Sequence, residues 1–281
     1  MADAEQAWTP LPYVPAVFID GGKGGVAKTM FGGHLTIEMR RTRQMAFTSF
    51  DVDSDQTVSM FGIGKDGDMG HVSAPGTDKD RLFQPVRVTF SKDCKIKVAS
   101  PGLIAGTRDH AYTLDGAGNA GLVRTLVEKT VWGHVDLVVV DLPAGSSDEW
   151  RAAMDVFHRK VGIFVMVHPG NIEDLHRAIE RIEFKQQQII GVVEAFGKCV
   201  FEDGEEPVHP KDPKRVFNPW GRNSEVKKVC DDKGLTYLGV LPLTDGLRRV
   251  AGRLTLPPTC LGPVAEAAKV VDDILSKEVS A

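Results

Sequence analysis

The apolar residues of the chain fall in short continuous runs separated by amphipathic stretches, the pattern of strands buried on both faces and of helices laid over them. Ala16-Val17-Phe18-Ile19 is the first run, a helical pattern follows over Lys28–Arg43, and Met45–Phe50 reads as a second strand. That succession is a βαβ unit and predicts a parallel sheet. Val86–Phe90 and Lys95–Ala99 alternate around Ser91–Cys94 as an extended pair, Gly121–Val131 reads as a helix, and Val135–Val140 as a buried central strand. Further strands at Val161–Val167, Ile189–Glu194 and Thr236–Val240 alternate with helices at Ile172–Gln188, Glu225–Asp232 and within Val264–Lys277. The predicted class is α/β: a single doubly wound, mostly parallel sheet with helices on both faces. No internal repeat is visible.

Breakers mark the segments outside this alternation. Pro10, Pro12 and Pro15 set off residues 1–13 as a loose arm, leaving one expected domain over 14–281. Between Gly62 and Arg81 the composition shifts to Gly, Asp, Lys, Ser and Pro, which predicts a mobile, solvated insertion near 62–81. A second surface excursion, rich in proline and charge, is expected over 202–220.

Composition excludes several classes. In 281 residues, 42% are hydrophobic and 26% charged, an ordinary globular balance that argues against wholesale disorder. The formal net charge of −4 gives no global attraction for nucleic acid or anionic lipid. Cys94, Cys199, Cys230 and Cys260 are far apart with no CxxC pair, so reduced thiols are expected rather than zinc, redox or cluster chemistry. The N-terminus is acidic and polar and no apolar run is long enough to span a bilayer, so the expected compartment is the cytoplasm.

The chemistry concentrates between the first strand and the first helix. In Gly22-Lys23-Gly24-Gly25-Val26-Ala27-Lys28-Thr29, successive backbone N–H groups can wrap a phosphate, and the helix N-terminus favours negative charge. This is a P-loop, with ATP and Mg²⁺ as the expected ligands, and Met30 follows directly on it. Lys28 is placed to reach the β and γ phosphates and the Thr29 hydroxyl to ligate Mg²⁺. Ala27 stands where glycine is usual, and its Cβ should be tolerable at the first helical turn. Asp141 ends the apolar run Leu137-Val138-Val139-Val140, the place for an acid held against Mg²⁺. Asp51 and Asp53 follow the second strand, expected beside the first, and Asp53 is assigned to the attacking water and to the metal.

These residues resemble the deviant Walker A ATPases, the group of the MinD, ParA, nitrogenase iron protein and Mrp/Nbp35 families. Lys23 carries the resemblance, which implies that it reaches the partner's phosphates across an ATP-bound homodimer. The likeness to Mrp/Nbp35 proteins runs from the P-loop to Pro258: Trp132–Glu149 is similar to their Walker B and switch II segment and Asp51-Val52-Asp53 to the start of switch I, while Ile190–Glu194 and Leu238–Leu243 match strands. Two departures stand out. Those carriers usually bear a CxxC after the Val-Glu strand, whereas only Cys199 is near, so an iron–sulfur cluster is not expected. Ala195 replaces the Asn that follows Glu in the family, which leaves backbone near Pro242 to read the base.

The leading expectation is an ATP-dependent dimerisation switch with ParA- or MinD-like positioning of an unidentified protein partner or cargo. Arg40, Arg41 and Arg43, or Arg248, Arg249 and Arg253, are candidates for non-specific DNA contacts, although solvated helix faces account for them more simply. An iron–sulfur or metal carrier is the alternative, and a weakly hydrolysing nucleotide-binding module, suggested by Ala27, is a third. The terminal helix places Val264, Ala267, Val271 and Ile274 on one face with acids on others, which suits docking on the sheet rather than a membrane.

Overall fold

The apolar runs assemble into one eight-stranded sheet. The computed structural model describes residues 10–52, 56–64, 67–73, 81–91, 94–104, 116–209, 211–218, 224–250 and 253–280. The first half holds β1 (Ala16–Gly21), α1 (Lys28–Met39), β2 (Met45–Ser49), α2 (Thr57–Phe61), β3 (Gly70–Ser73), β4 (Arg81–Gln84), β5 (Val86–Ser91), β6 (Cys94–Ala99), α3 (Gly116–Glu128) and β7 (Leu137–Asp141). The second half holds α4 (Asp148–Val156), β8 (Lys160–Val167), α5 (Ile172–Phe184), β9 (Ile189–Val200), β10 (Val208–His209), β11 (Asp212–Val216), α6 (Val226–Lys233), β12 (Tyr237–Thr244), β13 (Arg248–Val250), β14 (Arg253–Thr255) and α7 (Gly262–Ser280). The sheet order is β12-β9-β8-β1-β7-β2-β6-β5, parallel throughout except for the edge strand β5. This is the α/β, mostly parallel architecture that the alternation predicts.

One neighbour relation differs from expectation. β2 does not lie beside β1: β7 is inserted between them, pairing Val17 with Val139 on one side and Phe47 with Val139 on the other. All five β7 residues are buried, and a strand with no polar residue before its last position gains most from the centre of the sheet.

Element ends also move. α1 stops at Met39 rather than Arg43, because the chain turns so that the Gln44 N–H can donate to Asp136 at 2.7 Å and Met45 can pair with Leu137. β9 runs on past Glu194 to Val200 and keeps pairing with β12 after a register shift. The 62–81 insertion contains β3, which pairs with β4 as a hairpin, and Met69 within it is buried. The 202–220 excursion contains the β10–β11 hairpin. Of the proposed arm, Leu11–Tyr13 form a 3₁₀ turn whose Leu11 is buried in the core; residues 1–9 lie outside the described residues. In α7, Val264, Ala267 and Val271 are buried, and the helix packs on α1 and β12. Among the described residues no helix is long and apolar enough to cross a membrane.

α4 starts sharply: Ser147 accepts from the Trp150 N–H at 3.2 Å, and Asp148 and Glu149 occupy the first turn, where the helix dipole favours acids. α5 buries Leu175, Ala178, Ile179 and Ile182, the spacing of one helical face. Both helices are tied to the end of β1 by Asp20, which is fully buried. Its carboxylate accepts from the Gly21 N–H at 2.6 Å, Trp150 Nε1 at 3.2 Å and Arg181 Nη2 at 2.7 Å, and the Arg181 guanidinium lies 5.3 Å from the Trp150 ring centre. Burial pushes the Asp20 carboxyl above the usual carboxylate range, and the Arg181 charge opposes that. A second tie joins α1 to the segment after β14. His34, 6% exposed, donates Nδ1–H to Met30 O at 2.8 Å, and its Nε2 accepts from the Leu256 N–H at 3.2 Å. Both contacts are made by the neutral ring, and burial lowers its pKa.

Two outcomes follow. Arg181→Ala leaves Asp20 buried without its counter-charge and should cost about 3–5 kcal/mol, read as a thermal midpoint lowered by roughly 2–4 °C per kcal/mol. The paired Asp20→Asn/Arg181→Leu variant should recover much of that loss, and a double-mutant cycle that shows no coupling would remove the tie. For His34, the unfolded chain takes a proton near the ordinary value of about 6.5 while the folded ring resists it, so stability falls as pH drops through that value. Urea midpoints measured from about pH 7 to pH 5.5 should show this slope, and His34→Gln should flatten its share of it.

Candidate functional site: a phosphate cradle over a buried carboxylate

The Gly22–Thr29 loop leaves the end of β1 and enters α1, the strand-loop-helix context expected for it. Gly22 presses on α5, where an added Cβ would lie 2.5 Å from the Asp174 Cβ and 3.0 Å from its carbonyl oxygen. On the opposite side, a Cβ at Gly24 or Gly25 would meet nothing within 4 Å, so these glycines leave the backbone open to a ligand. Ala27 caps α1 with φ 59° and ψ 27°, and its carbonyl accepts the first helical bond from the Phe31 N–H at 2.9 Å. This corrects the reading of Ala27 as an easy first-turn residue: its conformation is left-handed, which costs a residue with a Cβ about 1–2 kcal/mol.

Lys28 is the first residue of α1 and is 6% exposed. Thr29 Oγ1 donates to Asp141 Oδ2 at 2.5 Å, and Ser49 Oγ donates to the same oxygen at 3.2 Å. The sheet register makes this possible, because Asp141 stands opposite Ile19 of β1 and Ser49 of β2. A hydroxyl and a carboxylate beside a loop of N–H donors are hard oxygen ligands that suit Mg²⁺ on a bound phosphate. The donor set therefore fits that ion.

A cavity of about 260 Å³ opens along Gly24, Gly25 and Ala27–Met30. Its remaining walls are Met60 and Gln56 of the α2 region, Asp51, Phe196 of β9 and Leu254 of β14. Lys23 faces the other side: 57% exposed, its Nζ lies 3.4 Å from Asp174 Oδ2 in the first turn of α5, where Arg177 also bonds Asp174. Lys23 and Val26 line a second hollow of about 350 Å³ with His168 and Asn171, which shares Gly24 and Gly25 with the first. Asp53 lies outside the described residues. Pro242 is buried in β12, opposite the shifted part of β9, and does not line the cavity.

Sequence reading missed Ser49, Gln56, Met60, Phe196, Leu254 and Asp174. Ser49 at a strand end and Asp174 in an acidic helix start are common local patterns, and nothing in the chain pairs either with its distant partner. The basic groups considered for DNA are largely engaged within the molecule. Arg41 pairs with Glu38 at 3.1 Å, Arg43 with Asp272 at 2.5 Å, Arg248 with Glu202, and Arg253 donates to the Thr89 carbonyl at 2.6 Å. Cys199 is partly exposed on β9, and burial pushes its thiol up. Among the described residues, no group of three or more His, Cys, Asp or Glu is placed to hold a metal ion.

Comparison with known proteins finds relatives of the same fold. A mouse protein named cytosolic Fe-S cluster assembly factor NUBP2 is 26% identical over 238 residues, covering 83% of this chain and 79% of the mouse protein. Its homolog from Monosiga brevicollis is 23% identical over 232 residues, with 81% and 74% covered. Among solved structures, a nucleotide-binding protein from Archaeoglobus fulgidus in complex with ADP superposes with a TM-score of 0.58 at 16% identity, covering 92% of this chain and 88% of that one. The septum site-determining protein MinD from Pyrococcus horikoshii, complexed with Mg-ADP, gives 0.53 at 15% identity, with 93% and 96% covered. A family model described as ParA: NUBPL iron-transfer P-loop NTPase matches residues 14–277. With its P-loop, its acid-terminated central strand and this match over nearly its whole length, the chain belongs to the ParA/NUBPL family of P-loop NTPases.

Proposed function

We propose that the chain binds Mg-ATP at the Gly22–Thr29 loop and hydrolyses it in a cycle of subunit association that serves iron–sulfur or metal handling. The observation that carries the nucleotide reading is the contact of Thr29 Oγ1 with the buried Asp141 carboxylate beside Lys28. In this reading the loop amides from Gly22 to Lys28 bind the phosphate oxygens, and Lys28 supplies the countercharge to the β and γ groups. Thr29 and Asp141 hold Mg²⁺, the former directly, the latter through Thr29 or water. Mg²⁺ neutralises charge on the transferring phosphate when bound. Lys23 leaves Asp174 to reach a partner subunit's phosphates, and Asp53, which follows β2, orients the attacking water. Met30 closes the nucleoside side of the loop, and backbone near Pro242 is a further candidate contact.

The role in iron–sulfur or metal handling is supported by the curated relatives, which are named as Fe-S cluster assembly factors and cover about four-fifths of this chain. Their cytosolic designation supports the same compartment here. Cys199 has no CxxC partner, so a cluster or metal passing through this protein takes ligands from a second subunit or another protein. The positioning reading, with a ParA- or MinD-like cargo, has the fold likeness as its support.

Lys28→Ala should abolish ATP binding in calorimetry, and unchanged affinity would sink the P-loop assignment. Lys23→Ala should still bind ATP yet lose ATP-induced dimerisation in light scattering, while Asp53→Ala should accumulate the ATP-bound dimer. For the biological role, turnover should rise with a reduced iron–sulfur assembly fraction and not with duplex DNA. Stimulation by DNA alone would return the assignment to positioning.

A further inference from the structure

Ser49 is the last residue of β2 and has no solvent exposure. A hydroxyl buried in the middle of a sheet needs partners, and Ser49 has two that belong to different parts of the site. It donates to Asp141 Oδ2 at 3.2 Å and accepts from the Asp51 N–H at 3.3 Å. The backbone N–H can only donate, so the single hydroxyl proton is left for the carboxylate and the direction of the chain is fixed. A serine that bonds the amide two residues on is an ordinary local turn. A buried one whose proton is also committed to an acid 92 residues away joins two separate segments.

Both ends of that chain belong to the phosphate site. Asp141 Oδ2 also accepts from Thr29 Oγ1 at 2.5 Å, so one oxygen receives the hydroxyl of the phosphate-loop helix and the hydroxyl of β2. Asp51 lines the cavity, as do Gln56 and Met60 farther along the same stretch of chain. Asp53, to which the attacking water is assigned above, falls within that stretch in sequence. Ser49 therefore stands between the oxygens suited to Mg²⁺ and the start of a cavity wall.

We propose that Ser49 is a positioning residue that couples metal occupancy at Thr29 and Asp141 to the backbone at Asp51, so that Mg²⁺ regulates the stretch after β2 through this hydroxyl. This rests on the nucleotide reading above and names the regulation of that site. When bound, Mg²⁺ supplies positive charge beside the two oxygens. The Asp141 oxygen that accepts from Thr29 is the one that accepts from Ser49, and hydrogen bonds in a chain polarise one another. A change at Oδ2 is thus passed by Ser49 Oγ to the Asp51 N–H. Such coupling is reciprocal: a link that tightens Asp51 when metal binds also tightens the metal, and cutting it weakens both.

The test is hydrogen exchange of the full chain with ADP, in Mg²⁺ and in EDTA, read on peptides that contain the Asp51 amide, with ADP affinity measured by calorimetry under both conditions. ADP is the probe so that no turnover intervenes. In the wild type, exchange at Asp51 should be slower in Mg-ADP than in ADP with EDTA by about threefold or more. Ser49→Ala should abolish that metal-dependent part and shrink the gain in affinity that Mg²⁺ brings, while affinity in EDTA stays within about twofold. Turnover of ATP should fall by about tenfold to a hundredfold with KM little changed. Ser49→Cys nearly keeps the volume but replaces the hydroxyl by a weak donor and acceptor, so it should behave as Ser49→Ala does, whereas a role in packing alone would leave it like the wild type. It also serves as the readout if Ser49→Ala does not fold. Metal-dependent protection that persists in either variant overturns the proposal. A wild type that binds Mg-ADP with no metal-dependent change at Asp51 also overturns it and leaves the nucleotide reading standing; if the wild type binds neither ADP nor ATP, the nucleotide reading fails and takes the coupling with it.

Discussion

Asp141 is a carboxylate with no solvent exposure at the end of the fully buried central strand β7, and its Oδ2 accepts from two hydroxyls, Thr29 on the phosphate-loop helix and Ser49 on β2. A buried charge is costly unless donors or a cation meet it, so the elements carrying those donors are constrained to arrive together. β7 must lie between β1 and β2, and α1 must begin where Thr29 can face down onto it. The same constraint makes the place suitable for a divalent ion, because the oxygens it needs are already gathered before any phosphate arrives.

α5 organises the other side of the loop. Its first turn carries Asp174, against which Gly22 packs and toward which Lys23 turns, and two turns later Arg181 meets Asp20 at the end of β1. These two ion pairs differ in kind. Arg181 and Asp20 are 14% and 0% exposed, so separating them uncovers a buried charge and the pair is structural. Lys23 is 57% exposed, and a pair of that sort is worth about 0–1 kcal/mol, so its lysine can leave for another partner at little cost. The loop is thus fixed at its glycines and loosely held at its lysine.

Ala27 shows how a local departure has to be judged in place. A methyl group at a helix start is harmless in right-handed backbone, yet here the residue sits at φ 59°, in the conformation that favours glycine. Phe196 makes the same point on a larger scale, because neither its identity nor its neighbours in the chain indicate a left-handed residue; a shift between two strands far apart in sequence produces it. Strain of this kind persists only where surroundings such as Glu194 and Gly197 over-determine it.

Local pattern in the sequence was enough for the class of fold, the phosphate loop between strand and helix, and the acid that ends the apolar run at Asp141, because periodicity and strand-turn-helix succession are properties of neighbouring residues. It also carried the family, through Lys23 and the Trp132–Glu149 segment. The tertiary structure alone decided that β7 separates β1 from β2, that Asp174 faces Lys23, and that Phe196 and Leu254 share a cavity with Met30. Each of these joins residues distant in the chain, and strand order, register and close approach are set by how the whole apolar surface is buried, for which no local propensity stands in.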